Sequence, residues 1–278
     1  MKNQHEHHHS ANAADEAAMA ELLDLDAEVL HAYLSDVTAW LKEMTGDRPP
    51  RRILDLGSGT GTGTFALLKR FERADATALD ISPHMLRHLG HKARDLGVAG
   101  RVRAVQADLG VAWPSLGPVD LVWAASSMHH MADPPHVLAE VFKALRPGGL
   151  LVVSEMDSFP RFLPDDLGLG RPGLEARVHA ARDGGPADAA SAHLSPAGFT
   201  LEAKRSFVID LRDPLPAAAR RYAQVSLRRV RAHLDGLLDA GDLATLDTLI
   251  DGDGPDGVLR RDDLAVRSTR TVWVARRP

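Results

Sequence analysis

Between Arg52 and Met156 short apolar runs alternate with helical patterns, and few architectures accept that rhythm. Arg52 to Leu56, Ala76 to Asp80, Val102 to Val105, Val119 to Trp123 and Leu150 to Met156 read as strands of a parallel sheet. A helix is predicted over Thr62 to Phe71. Another opens at Ser82-Pro83, a cap followed by proline at the first helical position, and carries Met85, Leu86, Leu89, Ala93 and Leu96 on one face before Gly97 and Gly100 close it. A third starts at Asp133-Pro134 with Val137, Leu138, Val141, Phe142 and Leu145, and the sequence predicts its stop at Arg146-Pro147-Gly148-Gly149. Strand and helix in alternation predict an α/β, doubly wound sheet.

The flanks are different. From about Glu16 to Met44, Leu22, Leu25, Val29, Leu30, Tyr33, Leu34, Val37, Trp40, Leu41 and Met44 recur at helical spacing, ended by Thr45-Gly46 and Pro49-Pro50. Beyond Met156 the beat fails, and Asp157 to Pro196 is rich in Gly, Pro and Asp with a short helix near Gly173 to Ala181. Long irregular insertions in compact domains often serve as binding loops or lids. A strand over Phe199 to Leu211, a helical segment from Pro216 to Ile250 and a last strand over Arg270 to Ala275 complete the chain. The predicted organisation is a disordered His-rich tail over 1–14, an N-terminal helical cap over 15–48, and a main domain over 49–278 with insertions at about 157–196 and 214–266.

Composition removes several function classes. The 33 basic and 38 acidic residues are mixed, for a net charge of −5, so no strong field is available to hold a polyanion and nucleic acid is a poor partner. Cysteine is absent, which excludes disulfides, thiolate metal sites and thiol nucleophiles together. No apolar run approaches the ~18 residues of a membrane span and the start lacks a hydrophobic signal core, so a cytoplasmic protein is expected, with no membrane partner. The histidines at 5 and 7–9 could pick up metal adventitiously, but nothing nearby fixes ligand geometry, and no metal site is predicted.

The first strand runs into Ile53-Leu54-Asp55-Leu56-Gly57-Ser58-Gly59-Thr60-Gly61. Glycines let a ligand approach the backbone, and the next helix offers an electropositive N-terminus. The dinucleotide fingerprint needs a third glycine three residues on, and positions 62 and 64 are threonine, which counts against a nicotinamide dehydrogenase. The turn resembles the first motif of class I, Rossmann-like S-adenosylmethionine-dependent methyltransferases. That resemblance implies that Asp55 contacts the methionine end of S-adenosyl-L-methionine, and that Gly57, Ser58, Gly59 and Gly61 carry the cofactor across the turn. It extends to later strand ends. Asp80 matches the acid that accepts from both ribose hydroxyls, Ile81 would pack on adenine, Asp108 would accept from the adenine amino group and the Leu109 backbone would touch the ring. Met85 and Ala125 are counted with this cofactor set. The final strand is similar to the family's reversed seventh strand, so the resemblance implies a mostly parallel seven-stranded sheet whose last strand is antiparallel.

For chemistry, Met128-His129-His130-Met131 follows the fourth strand, where one histidine could act as general base; the competing reading is an imidazole held structurally. Glu155 and Asp157 are further acidic candidates, otherwise a solvated loop. Asp133-Pro134-Pro135-His136 reads as a helix start rather than a base-modification motif. Arg220, Arg221, Arg228, Arg229 and Arg231 read first as a solvated helix face, with binding of an anionic substrate as the minority reading. Tyr33 and His31 could reach the site from the cap. The resemblance implies methyl transfer to a small-molecule acceptor through oxygen, nitrogen or carbon; a protein or peptide methyltransferase, and a cofactor-binding module without turnover, are the alternatives. A homodimer is left open.

Overall fold

The computed structural model describes residues 3–182, 192–252 and 254–278, with side chains from Ala14 onward. Seven strands form one sheet: β1 (Arg52–Leu56), β2 (Asp75–Asp80), β3 (Val102–Gln106), β4 (Val119–Ala125), β5 (Leu145–Met156), β6 (Thr200–Leu211) and β7 (Val266–Arg276). Their order is β3-β2-β1-β4-β5-β7-β6, with β7 antiparallel to both neighbours and the pairings from β3 through β5 parallel.

The apolar content of the strands explains why the sheet sits in the middle. Ile53, Leu121, Val152 and Val274 point to one face, where they meet Val37, Leu41, Leu67 and Leu246. Leu54, Leu56, Val122, Leu151 and Val153 point to the other, against Val137, Leu138 and Val141. Side chains alternate across a strand, so a strand apolar at every position must be covered twice. Helices α1 (Asn3–Val29), α2 (His31–Thr45), α3 (Thr62–Arg70), α4 (Pro83–Asp95), α5 (Pro134–Ala144), α6 (Leu174–Ala181), α7 (Ala219–Arg231) and α8 (Ala240–Asp251) do the covering. The sequence caps act as expected: Ser82 accepts from the Met85 amide at 3.3 Å, and Asp133 from the His136 amide at 3.0 Å.

The last strand begins four residues earlier than expected, at Val266 rather than Arg270, and three further boundaries differ from the sequence reading. Helix α1 begins at Asn3, within the segment expected to be disordered. Alanines at 11, 13, 14, 17, 18 and 20 are strong helix formers and continue the helix without any apolar stripe to announce it. Met1, Lys2 and the side chains of the first thirteen residues, histidines included, lie outside the described residues, as do residues 183–191 of the expected insertion loop. Second, Arg146-Pro147-Gly148-Gly149 does not separate helix from strand. Strand β5 already pairs Leu145 with Val119, and a register shift absorbs the turn residues before Leu150 meets Leu121. Third, the helical segment from Pro216 to Ile250 is two helices, α7 and α8, which pack on each other.

Because β1 pairs with β2 on one side and β4 on the other, the chain reverses direction across the sheet at β1 and β4. A crevice opens at the carboxyl ends of such a pair, where open α/β sheets bind ligands. Against it lies α1, which reaches Gly59 through Leu23 and is tied to α4 and α7. Glu16 accepts from Ser82 Oγ at 2.7 Å and Asp24 from Lys92 Nζ at 2.8 Å on α4, while Glu21 pairs with Arg221 Nε at 2.6 Å on α7.

Candidate active site at the carboxyl edge of the sheet

The turn after β1 depends on left-handed backbone. Gly57 and Gly59 have φ of +64° and +52°, where a side chain is strained. Space agrees with conformation: a Cβ on Gly57 would lie 2.7 Å from Ser127 Cβ, and one on Gly59 2.9 Å from Leu23 of α1. The turn therefore lies close against the segment after β4 on one side and the cap on the other. Gly61, also left-handed, leads directly into α3.

Asp55 lies beneath this turn and is 2% exposed. It accepts one hydrogen bond from Thr64 Oγ1 at 2.6 Å. Burial pushes its carboxyl up to about 7, against the Thr64 hydrogen bonds that favour the ionised form, and the charge of Asp80 adds to the rise. A buried acid without a cation is costly, and an incoming ammonium group would relieve it.

Asp80 ends β2 with both oxygens in use, accepting from the Gly59 amide and the Ser82 amide, each at 2.8 Å. These bonds aim the carboxylate into the crevice and leave each oxygen a lone pair for a further donor. Ile81 beside it is 62% exposed, and Met85 is buried below. Asp108 is exposed and accepts from the Gly110 amide at 3.0 Å, next to buried Leu109. The hydroxyls of Ser58 and Ser127 are buried and have no hydrogen-bond partner among the described residues. Unpaired donors beside an uncompensated acid, glycines that leave no room for Cβ atoms and a two-oxygen acceptor at Asp80 fit a ligand carrying an ammonium group and adjacent hydroxyls.

Beyond β4 the backbone turns sharply at Ser126, a non-glycine residue with φ of +49°, held by its amide to the Ser154 carbonyl at 2.8 Å. Strained backbone of this kind clusters at functional sites. A short helical turn over Met128–His130 follows. His129 Nδ1 bonds Glu155 Oε2 at 2.8 Å, and the other Glu155 oxygen accepts from the Met128 amide at 3.2 Å. Glu155 lies within β5 with its side chain 6% exposed, rather than on the solvated loop that its position suggested; His129 is 49% exposed. The hydrogen bond to Glu155 holds His129 above its ordinary value, despite partial burial. His130 lies against it, with ring centroids 4.0 Å apart and planes tilted by 48°, and is shifted the other way, by burial and then by the charges of His129 and Arg229.

Other expected residues are placed differently. Tyr33 is buried, with its hydroxyl 2.7 Å from Ser154 Oγ on β5, whereas His31 is exposed and bonds the Glu28 carbonyl of its own helix region. Asp157 accepts from Thr271 Oγ1 at 3.1 Å. Ala125 is the last residue of β4, half-buried beside Ser126. Thr64, Ser126, Ser127 and Leu23 join the site without having been singled out by motif; the small run Ala124-Ala125-Ser126-Ser127 at a strand end was the available signal. Among the described residues no three histidine or acidic side chains converge as a metal site, and no helix is long and apolar enough to cross a membrane.

A profile described as a methyltransferase domain matches residues 53–149, which span β1 to the turn in β5. The 27-O-demethylrifamycin SV methyltransferase of Amycolatopsis mediterranei is 30% identical over 226 residues, covering 74% of this chain and 79% of that enzyme. The chain belongs to the S-adenosylmethionine-dependent methyltransferases. Two other methyltransferases match over shorter stretches. The malonyl-[acyl-carrier protein] O-methyltransferase of Laribacter hongkongensis is 38% identical over 38% of each chain, and the demethylmenaquinone methyltransferase of Thermus thermophilus is 35% identical over 49% of this chain and 57% of that one. The chain thus spans well under two thirds of these two relatives. In fold, this methyltransferase is similar to the [4+2]-cyclase SpnF, with a TM-score of 0.53, 20% identity and coverage of 88% and 81%, and to the YcgJ protein of Bacillus subtilis, with 0.52, 15%, 87% and 98%. Its cofactor is S-adenosylmethionine, which carries an ammonium group and adjacent ribose hydroxyls of the kind that the residues above fit.

Proposed function

We propose that this methyltransferase modifies a small-molecule acceptor seated between the glycine turn and His129, with His129 as general base. The relative matched over most of both chains is named for a small acceptor, which supports that class. Bound S-adenosylmethionine supplies a methyl group already activated on a sulfonium, so the protein's part is positioning, desolvation and removal of the acceptor's proton. Asp80 would take the ribose hydroxyls, Asp55 and the turn at Gly57, Ser58, Gly59 and Gly61 the methionine end, and Ile81, Met85, Asp108, Leu109 and Ala125 would border the rest.

The observation that carries the base assignment is the His129 to Glu155 bond. A carboxylate at Nδ1 favours the proton on that nitrogen, which would leave Nε2 as the acceptor and set a buried acid beside the imidazolium that forms. His129 must be neutral to act, and Glu155 raises its value. The rate should therefore rise with pH to a midpoint above 6.5 and plateau beyond it. A metabolite screen for S-adenosylhomocysteine release, with mass spectrometry of the methylated product, tests the function, and the pH profile with the best acceptor tests the base. H129A should lower kcat by about 10²–10⁴-fold and abolish the rise. An unchanged profile in H129A would reject His129, and the absence of any turnover in a protein that binds S-adenosylhomocysteine would reject methyl transfer. A cytoplasmic enzyme acting as monomer or homodimer, without nucleic acid or membrane, is part of the same proposal.

A further inference from the structure

From Ala14 to Val29 helix α1 carries six acids and no basic residue. Only Ala20 and Val29 of that stretch are buried, with Leu22 and Leu25 packed at the margin of the core. What ties this stretch down is polar. Asp24 accepts from Lys92 Nζ at 2.8 Å and lies 2.7 Å from His88 Nε2, both on α4. Ser82 donates to Glu16 through its hydroxyl and to Asp80 through its amide, so one residue holds the helix and aims the strand-end acid. On the other side Glu21 accepts two bonds from Arg221, at 2.6 and 3.0 Å, and Asp26 meets Tyr222 and Arg270. Between these anchors Leu23 reaches the glycine turn. A Cβ on Gly59 would lie 2.9 Å from Leu23 Cδ1, so at that point the gap between helix and turn is closed.

We propose that α1 is a lid on the crevice, latched through Glu16, Glu21 and Asp24 to α4 and α7, and that its opening governs entry and exit of S-adenosylmethionine. The inference rests on the reading of the Gly57 to Gly61 turn as the cofactor's seat and adds the control of access to it. A helix with little buried apolar surface opens at a lower free energy than the sheet behind it. Its ion pairs set how often that happens, and because they are partly exposed each contributes little and weakens with salt. Asp26 differs from the other acids. Its partner Arg270 is buried, and Val29 and Leu30 beside it belong to the core, so this end of α1 stays in place while the preceding turns lift. A ligand behind such a lid exchanges as the lid opens. Weakening a latch therefore speeds association and dissociation together, whereas losing a contact with the ligand speeds dissociation alone.

Stopped-flow binding and chase of S-adenosylhomocysteine, with hydrogen exchange of the α1 amides read by mass spectrometry, tests this directly. E21Q and D24N should each raise the association and dissociation rate constants about two- to fivefold, in step, so that the dissociation constant moves by less than either rate. Wild-type rates should rise likewise between about 0.05 and 0.5 M salt. The ligand carries one ammonium and one carboxylate, so its encounter with the protein offers no net charge for salt to screen. Amides of α1 before Asp26 should exchange faster than those of β1 in the free enzyme and slow when S-adenosylhomocysteine binds. Rates unchanged by either variant and by salt, or dissociation alone made faster, would overturn the proposal, as would α1 amides as slow as those of β1. If a variant does not fold, the salt response and hydrogen exchange of the wild type decide. Failure of the cofactor reading shows separately, as no binding of S-adenosylhomocysteine by the wild type at any salt concentration.

Discussion

Replacing Asp55 by Asn should make the ligand-free protein more stable at pH 8 and abolish its response to the cofactor. The carboxyl is buried to 2% exposure and pushed up to about 7 from an ordinary 3.8. An acid whose folded value is raised contributes fully below its unfolded value, and that contribution is lost as pH climbs through the folded one. Wild-type stability should therefore decline between about pH 4 and pH 7, by up to about 4 kcal/mol, since each pH unit in that window costs about 1.4 kcal/mol. The Asn side chain has nearly the same shape, can still accept from Thr64 and does not titrate, so the decline should disappear in D55N. Saturating S-adenosylhomocysteine should raise the melting temperature of the wild type strongly and that of D55N little, since only the carboxylate can answer the ligand's ammonium group. Urea unfolding across this pH range, with and without ligand, decides the matter; parallel pH profiles for the two proteins would contradict it.

Breaking the pair between Asp26 and Arg270 should destabilise the fold by about 3–5 kcal/mol, the usual cost of leaving a buried charge alone. Arg270 on β7 is buried, its ring neighbour Tyr33 lies 5.2 Å away, and its Nε has no partner among the described residues, so Asp26 on α1 is its principal counter-charge there. Tyr222 of α7 donates to the same Asp26 at 2.6 Å. One carboxylate thus ties the cap, the C-terminal helices and the sheet. D26A should show the loss in urea unfolding and also weaken S-adenosylhomocysteine binding, because Leu23 on the same helix closes over Gly59. Removing both charges in D26L with R270M should cost much less than D26A alone, since no uncompensated ion remains. A double variant as unstable as the sum of its parts would remove the ion-pair explanation.

The middle of this fold is visible in the chain because β1, β4 and β5 are apolar on both faces, which only a sheet covered twice can satisfy. Strand β1 over Arg52 to Leu56 agrees with that pattern, while the seven-stranded, mostly parallel sheet with its antiparallel last strand agrees with what the resemblance implied. What escaped was set by neighbours distant in sequence. Pro147 and Gly148 look like a helix stop, yet pairing of Leu145 with Val119 draws them into β5. Glu155 looked solvated because its cover comes from other elements, and its partner His129 is 26 residues away. The arginines of α7 show an amphipathic face, but not which of them find acids: Arg221 meets Glu21 across 200 residues, and Arg229 meets none among the described residues. In the candidate site the glycines were legible because left-handed backbone demands their residue type, and the strand-end acids were named through the resemblance alone. Thr64 and Ser127 were not, since either could stand in many other turns.

If the turn at Gly57 to Gly61 and the carboxylate of Asp80 hold S-adenosylmethionine, calorimetric titration of the wild type and D80A with S-adenosylhomocysteine, with NAD as control, shows it most directly. Saturable one-site binding of S-adenosylhomocysteine is expected, with none of NAD, and a loss of about 1–3 kcal/mol in D80A as two hydroxyl partners go unanswered. Binding of NAD without S-adenosylhomocysteine, or unchanged affinity in a folded D80A, would contradict it.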